Sequence, residues 1–111
     1  MGKFIITKRN NNEYQFNLKA VNGQVILTSQ GYASKPSCEN GIDSVKKNSR
    51  DNSNFERNKA KDERWYFNLK ATNGQIIGTS QMYESENGME NGIESVQNNA
   101  PNATVEDETI N

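Results

Sequence analysis

At 111 residues the chain is long enough for one compact domain with one core. Only 32% of it is hydrophobic, mean hydropathy is −1.00 and formal net charge is −1, so whole-chain electrostatics recruit neither nucleic acid nor membrane. Cys38 stands alone and histidine is absent, which excludes an internal disulfide framework and removes the commonest general base and metal ligand.

Taken in chain order, Phe4–Lys8 is rich in β-formers and the polar stretch 9–12 makes a turn. Tyr14, Phe16, Leu18 and Ala20 then alternate with Gln15, Asn17 and Lys19, the period of a half-buried strand. Asn22-Gly23 is read as a two-residue type I′ hairpin with both residues at positive φ, and Val25–Gln30 as the returning strand. Ser34 suits a helix N-cap with Pro36 in the first turn. Cys38, Ile42 and Val45 follow at i, i+4 and i+7 as one apolar stripe. Gly41 lies on that stripe, where a missing side chain lets the helix come close to the sheet. Residues 48–54 form a join without Gly or Pro, and 55–60 opens a new strand. Pro101 closes a second helix, and 103–108 is read as a short final strand because Thr104 and Val105 are β-branched.

The second half repeats the first. A shift of 51 positions aligns residues 14–48 with 65–99 without gaps, and 21 of those 35 positions are identical. A three-stranded unit with one helix has little core of its own. The expected architecture is therefore α+β: tandem β-β-β-α repeats, 1–50 and 51–109, in one pseudo-twofold domain spanning 1–111. They share one antiparallel sheet with two helices on one face and a short C-terminal strand. Charge is unevenly divided. Residues 1–50 carry eight basic and three acidic residues, giving +5, and residues 51–111 carry five and eleven, giving −6. That polarity steers one half toward a partner, or copies head to tail, unless it records only drift of solvated surface charge.

With a two-residue loop, Ala20 faces Val25, Leu18 faces Leu27 and Phe16 faces Ser29, all on the helix-covered side. The open face then carries Gln15, Asn17, Lys19, Ile26, Thr28 and Gln30 in repeat one, and Tyr66, Asn68, Lys70, Ile77, Thr79 and Gln81 in repeat two. All of these except Gln15 and Tyr66 are the same residue in both repeats. They form the candidate binding face, with Lys19 and Lys70 as charged anchors, against the plainer reading of a solvated surface. Tyr32 and Tyr83, just before the helix caps, are read as packing residues rather than ligand stackers. Trp65 and Phe67 are read as core.

Catalysis has little to stand on. Cys38 lies on the buried stripe and Met89 replaces it in repeat two. Glu39 and Glu90 have no evident partner, and no phosphate-cradling glycine loop appears. Phe16 points into the expected core and cannot stack on bases. No cofactor and no metal are expected. The segment Met1-Gly2-Lys3-Phe4 lacks a signal-peptide stretch and no run reaches membrane-spanning length, so a cytoplasmic location is the expectation.

The ordered motifs Phe67-Asn68-Leu69-Lys70-Ala71, Asn73-Gly74-Gln75-Ile76-Ile77-Gly78-Thr79-Ser80-Gln81-Met82-Tyr83 and Glu90-Asn91-Gly92-Ile93-Glu94-Ser95-Val96 resemble the YegP-like family of small bacterial proteins of unknown function. The resemblance covers nearly the whole chain. It implies β3-α-β units that share one sheet and exchange C-terminal strands, within one chain or between two subunits. It brings no activity and no catalytic residues. The first functional reading is a non-enzymatic binding or interaction module using the open sheet face. A weak single-stranded nucleic-acid binder comes second and a small-ligand enzyme using carboxylates third. The partner is an unidentified protein or small ligand, with nucleic acid disfavoured and no membrane. The oligomeric state is left open between monomer and homodimer, and exposed sheet edges also permit recognition by strand addition.

Overall fold

The computed structural model describes residues 2–109. Alternation sets the strands: β1 (Lys3–Lys8), β2 (Tyr14–Lys19) and β3 (Val25–Thr28) lead into helix α1 (Lys35–Asn48). A 3-10 turn at Asn52–Asn54 starts the second unit, with β4 (Phe55–Lys59), β5 (Trp65–Lys70), β6 (Ile76–Thr79), helix α2 (Glu86–Asn99) and β7 (Thr104–Asp107). Together they make one seven-stranded sheet in the order β4-β5-β6-β3-β2-β1-β7. The five pairings from β4 through to β1 are antiparallel, and β7 crosses back to lie parallel to β1.

The capping expectations hold. Ser34 Oγ accepts the Ser37 N–H at 3.2 Å and Ser85 Oγ accepts that of Gly88 at 3.0 Å, each satisfying a first-turn donor. The buried stripe of α1 is Cys38, Gly41, Ile42 and Val45; that of α2 is Met89, Gly92, Ile93 and Val96. Both join one continuous core with Phe4, Ile6, Phe16, Leu18, Leu27, Phe55, Phe67 and Leu69. Burying each large apolar side chain there contributes roughly 1.5–3 kcal/mol. The two stripe glycines make room for the corner tyrosines. A Cβ on Gly41 would sit 2.8 Å from Tyr32 Cζ, and one on Gly92 2.6 Å from Tyr83 Cζ. Each tyrosine ring stacks on the phenylalanine of its own repeat, Phe16 or Phe67. Tyr32 and Tyr83 are therefore packing residues.

The hairpins differ from the sequence expectation in one consequential way. The Ala20 N–H bonds Gln24 O and the Gly23 N–H bonds Ala20 O, both at 2.9 Å. Only Gly23 takes a positive φ, +85°, and Asn22 does not. This is a three-residue loop, a type I turn closed by a left-handed glycine, not the type I′ turn expected from Asn22-Gly23. It sets Lys19, rather than Ala20, opposite Val25. The pairing returns to Leu18–Leu27 through a bulge that leaves Ile26 as the extra residue. Repeat two does the same, with Lys70 opposite Ile76 and Leu69 opposite Gly78.

The repeats meet where β3 runs antiparallel to β6, and only Thr28 and Thr79 are aligned across that seam. So thin a ladder needs help. It comes from the helices, which reach across: α1 packs on β5 and β6 as well as β2, and α2 packs on β3 as well as β5. Near the approximate twofold at this seam there is room for one large side chain. A Cβ on Gly78 would lie 2.7 Å from Leu27 Cγ, so Leu27 fills the space and its counterpart in repeat two is glycine.

Candidate functional site

The strand register decides what the open face displays. Thr28 and Thr79 stand opposite each other, with Asn17 beside Thr28 and Asn68 beside Thr79. Because paired residues share a face, Val25 lies with Lys19 and Ile76 with Lys70 on this side. Ile26 and Ile77 do not. The bulges turn them inward, where they are 4% and 6% exposed and belong to the core cluster. Ile26 borders a small recess with Tyr83 and Gly92, on the α2 side. This corrects the expected face: Ile26 and Ile77 leave it, and Val25 and the 39%-exposed Ile76 take their places.

Four of the expected residues converge at the seam. Thr28, Gln30, Thr79 and Gln81 line an open cleft of about 470 Å³ together with Val25 and Ile76. Its lining is matched residue for residue across the twofold around an apolar pair, but the two glutamines differ: Gln81 also borders the recess on the α2 side, where its side chain meets Tyr83. Gln30 and Gln81 are exposed, and the threonines are half-buried.

The remaining four, Asn17, Lys19, Asn68 and Lys70, flank the seam and are not equivalent. In repeat two, Glu56 of β4 organises them. Glu56 Oε2 pairs with Lys70 Nζ at 2.8 Å, and Oε1 accepts from the amides of Asn68 at 3.1 Å and Asn58 at 3.2 Å. Thr79 Oγ1 donates to Asn68 Oδ1 at 2.7 Å. The hydrogen bond from Lys70, then those from Asn68 and Asn58, hold the Glu56 carboxyl down at about 2. Repeat one has Ile5 where repeat two has Glu56, and Ile5 sits beside Asn17. Among the described residues Lys19 has no ion pair and the Asn17 amide no side-chain partner. The same lysine is thus ion-paired in one repeat and, in the other, without a contact ion pair, acting on Glu106 only at longer range. Glu56 and Ile5 lie outside the aligned segments 14–48 and 65–99, and only the register of β1 on β2 and β4 on β5 brings them to this face.

Burial, then Glu39 and Asp107, pushes the Cys38 thiol up to about 11, so it stays protonated and unreactive. Among the described residues no three acidic or thiol groups converge to hold a metal ion, and no helix is long and apolar enough to cross a membrane.

With this geometry in view, the chain can be set beside known proteins. A family model described as a domain of unknown function, DUF1508, matches it twice, at residues 10–56 and 60–107. A UPF0339 protein of Acinetobacter baylyi is 54% identical over 108 residues, which is 97% of each chain. The UPF0339 protein YegP of Escherichia coli is 48% identical over 97% of this chain and 98% of its own length. The solution structure of E. coli YegP, described as a protein of unknown function, superposes with a TM-score of 0.92, covering 96% of this chain and 92% of that one. A UPF0339 protein of Shewanella oneidensis gives 0.91 at 47% identity, covering 96% and 90%. The chain accordingly belongs to the UPF0339 family, with the DUF1508 unit present in tandem.

Proposed function

We propose that this protein is a non-enzymatic binding module whose recognition surface is the open sheet face, centred on the cleft at the seam between the repeats. The observation that carries this reading is the combination of the apolar pair Val25 and Ile76 with matched Thr and Gln residues and a neighbouring cation without a contact ion pair, Lys19. Such a trough suits an extended protein segment. Apolar contacts supply affinity there, while the threonine hydroxyls and glutamine amides meet backbone polar groups. The inert thiol and the absence of histidine favour binding over catalysis. Lys3, Lys19 and Lys70 share the face with Glu56 and Glu106 rather than forming a basic stripe, which weighs against nucleic acid.

The test is affinity capture from lysate with the wild-type protein and two surface variants, Lys19→Glu and Ile76→Glu. Both side chains are at least partly exposed, so the fold should survive, as a circular dichroism melt would verify. The captured set should be lost with either variant and largely retained with Lys70→Gln, whose lysine is already occupied by Glu56. An unchanged capture profile with Ile76→Glu would overturn the reading.

A further inference from the structure

We propose that the outer edge of β4 accepts one extended, basic segment of a protein partner, added parallel to β4 as β7 is added to β1. This stands apart from the open-face reading, because it concerns backbone groups at the sheet edge.

The template is built into the chain. β7 binds the outer edge of β1, with the Thr104 N–H on Gly2 O at 3.3 Å and the Glu108 N–H on Ile6 O at 3.0 Å. Two ion pairs fix it there: Lys3–Glu106 at 3.2 Å and Lys35 on α1 with Asp107 at 2.7 Å. A shift of 51 residues carries β1 onto β4 and α1 onto α2, yet among the described residues β4 ends the sheet with no strand beyond it. By that equivalence the carbonyls of Phe55 and Arg57 face outward as those of Phe4 and Ile6 do. Phe55 O is met by a side chain instead of a strand: Arg57 Nη1 donates to it at 3.2 Å. The other guanidinium nitrogens stay on Glu90, at 2.6 and 3.1 Å. An arriving backbone N–H can replace Nη1 on Phe55 O while the Arg57–Glu90 pair remains.

Charge then selects the occupant. Where β7 finds Lys3, Ile5 and Lys35, the β4 edge offers Asn54, Glu56 and Glu86. The β7 strand of a second copy would set Glu106 beside Glu56 and Asp107 toward Glu86, like against like. A segment with Lys or Arg at those two positions reverses both terms. The edge is short and charged, which discourages indiscriminate pairing, so strand addition there calls for a matched sequence.

The experiment titrates the intact protein with three seven-residue peptides at low ionic strength, read by fluorescence anisotropy and amide NMR. One is ATVKKKT. The second, ATVEDET, copies residues 103–109. The third, AKVKKPT, carries the same charge as the first but has proline where the Glu108 N–H meets Ile6 O, so it lacks one ladder donor. ATVKKKT should bind roughly tenfold more tightly than ATVEDET, shift the amides of β4 and leave those of β7 unmoved. AKVKKPT should bind more weakly than ATVKKKT, and Glu86→Lys, at an exposed site, should narrow or invert the preference between the first two. Equal binding of ATVKKKT and AKVKKPT would reduce the effect to bulk charge and overturn strand addition. So would equal affinity for ATVKKKT and ATVEDET, or shifts confined to the seam cleft.

Discussion

Ile6 and Arg57 occupy the same position of the repeat, two residues after the matched Phe4 and Phe55, and they show how differently the halves are finished. Ile6 is fully buried in the core, with β7 alongside. Arg57 lies at the far edge of the sheet, where no strand covers it, and reaches out to Glu90, Asn52 and the Phe55 carbonyl. The same contrast runs along both strands: Phe4-Ile5-Ile6 is buried throughout, whereas of Phe55-Glu56-Arg57 only Phe55 is. A strand that gains a neighbour becomes interior and can be apolar. One that stays outermost must satisfy its own backbone and resist pairing, and charged residues serve both ends. Duplication therefore fixed the fold of the two units, while position in the sheet decided their chemistry.

The sharpest break in that comparison should come from truncating the matched pair. Ile6→Ala is expected to cost about 2–5 kcal/mol through the cavity it leaves, whereas Arg57→Ala should cost within about 1 kcal/mol as an exposed ion pair. Urea unfolding of the two variants checks this, and similar losses would mean that the β4 edge is as structural as β1.

Next in size is the seam. Gly78→Leu crowds Leu27 and should destabilise by roughly 1–3 kcal/mol. Leu27→Gly leaves a hole of comparable consequence. The double variant, which moves the leucine to the other side of the twofold, should recover much of either loss in a double-mutant cycle. Simple additivity would show that the two residues do not compete for one space.

The smallest effect is acid sensitivity, and it too separates the edges. Glu56 and Asp107 both titrate near 2, held down chiefly by hydrogen bonds from Lys70 and Lys35 respectively. A folded-state value below the ordinary one means the fold favours the ionised form. This contribution is therefore complete above about pH 4.5 for Glu56 and about pH 3.8 for Asp107, and is lost as pH falls toward 2. Glu56→Gln should flatten that window by removing the repeat-two network, and Asp107→Asn by loosening β7 from α1. Unfolding midpoints measured between pH 5 and 2 test both, and profiles parallel to wild type would contradict the assignment.

Much of this was legible in the residues, for identifiable reasons. The i, i+4, i+7 spacing of Cys38, Ile42 and Val45 overrode the turn signal of Asn40-Gly41, because a helix that buries a stripe gains more than one glycine costs. The open face was legible wherever strict alternation held, as in Gln15, Asn17 and Lys19. It failed at Val25-Ile26-Leu27, an apolar run with no period, where Asn22-Gly23 fits either of two turns and only the bulge decides which neighbours point inward. Partnerships were hidden for a different reason. A glutamate in a strand reads as solvated surface until the register puts Glu56 beside Asn68 and within reach of Lys70, and the missing ion pair at Lys19 follows from Ile5 standing where repeat two has Glu56. The return of β7 to β1 rests on pairing between distant segments, which no local pattern encodes; the family resemblance implied only that C-terminal strands are exchanged, without naming the strand they join.

The unlike pair at the seam has a consequence for how such proteins can change. Two identical subunits meeting on a true symmetry axis must present the same residue from both sides, so a space that admits one leucine would stay empty or clash. Joining the units covalently lifts that restriction: Leu27 and Gly78 can diverge independently, and the centre of the sheet can be filled from one side alone.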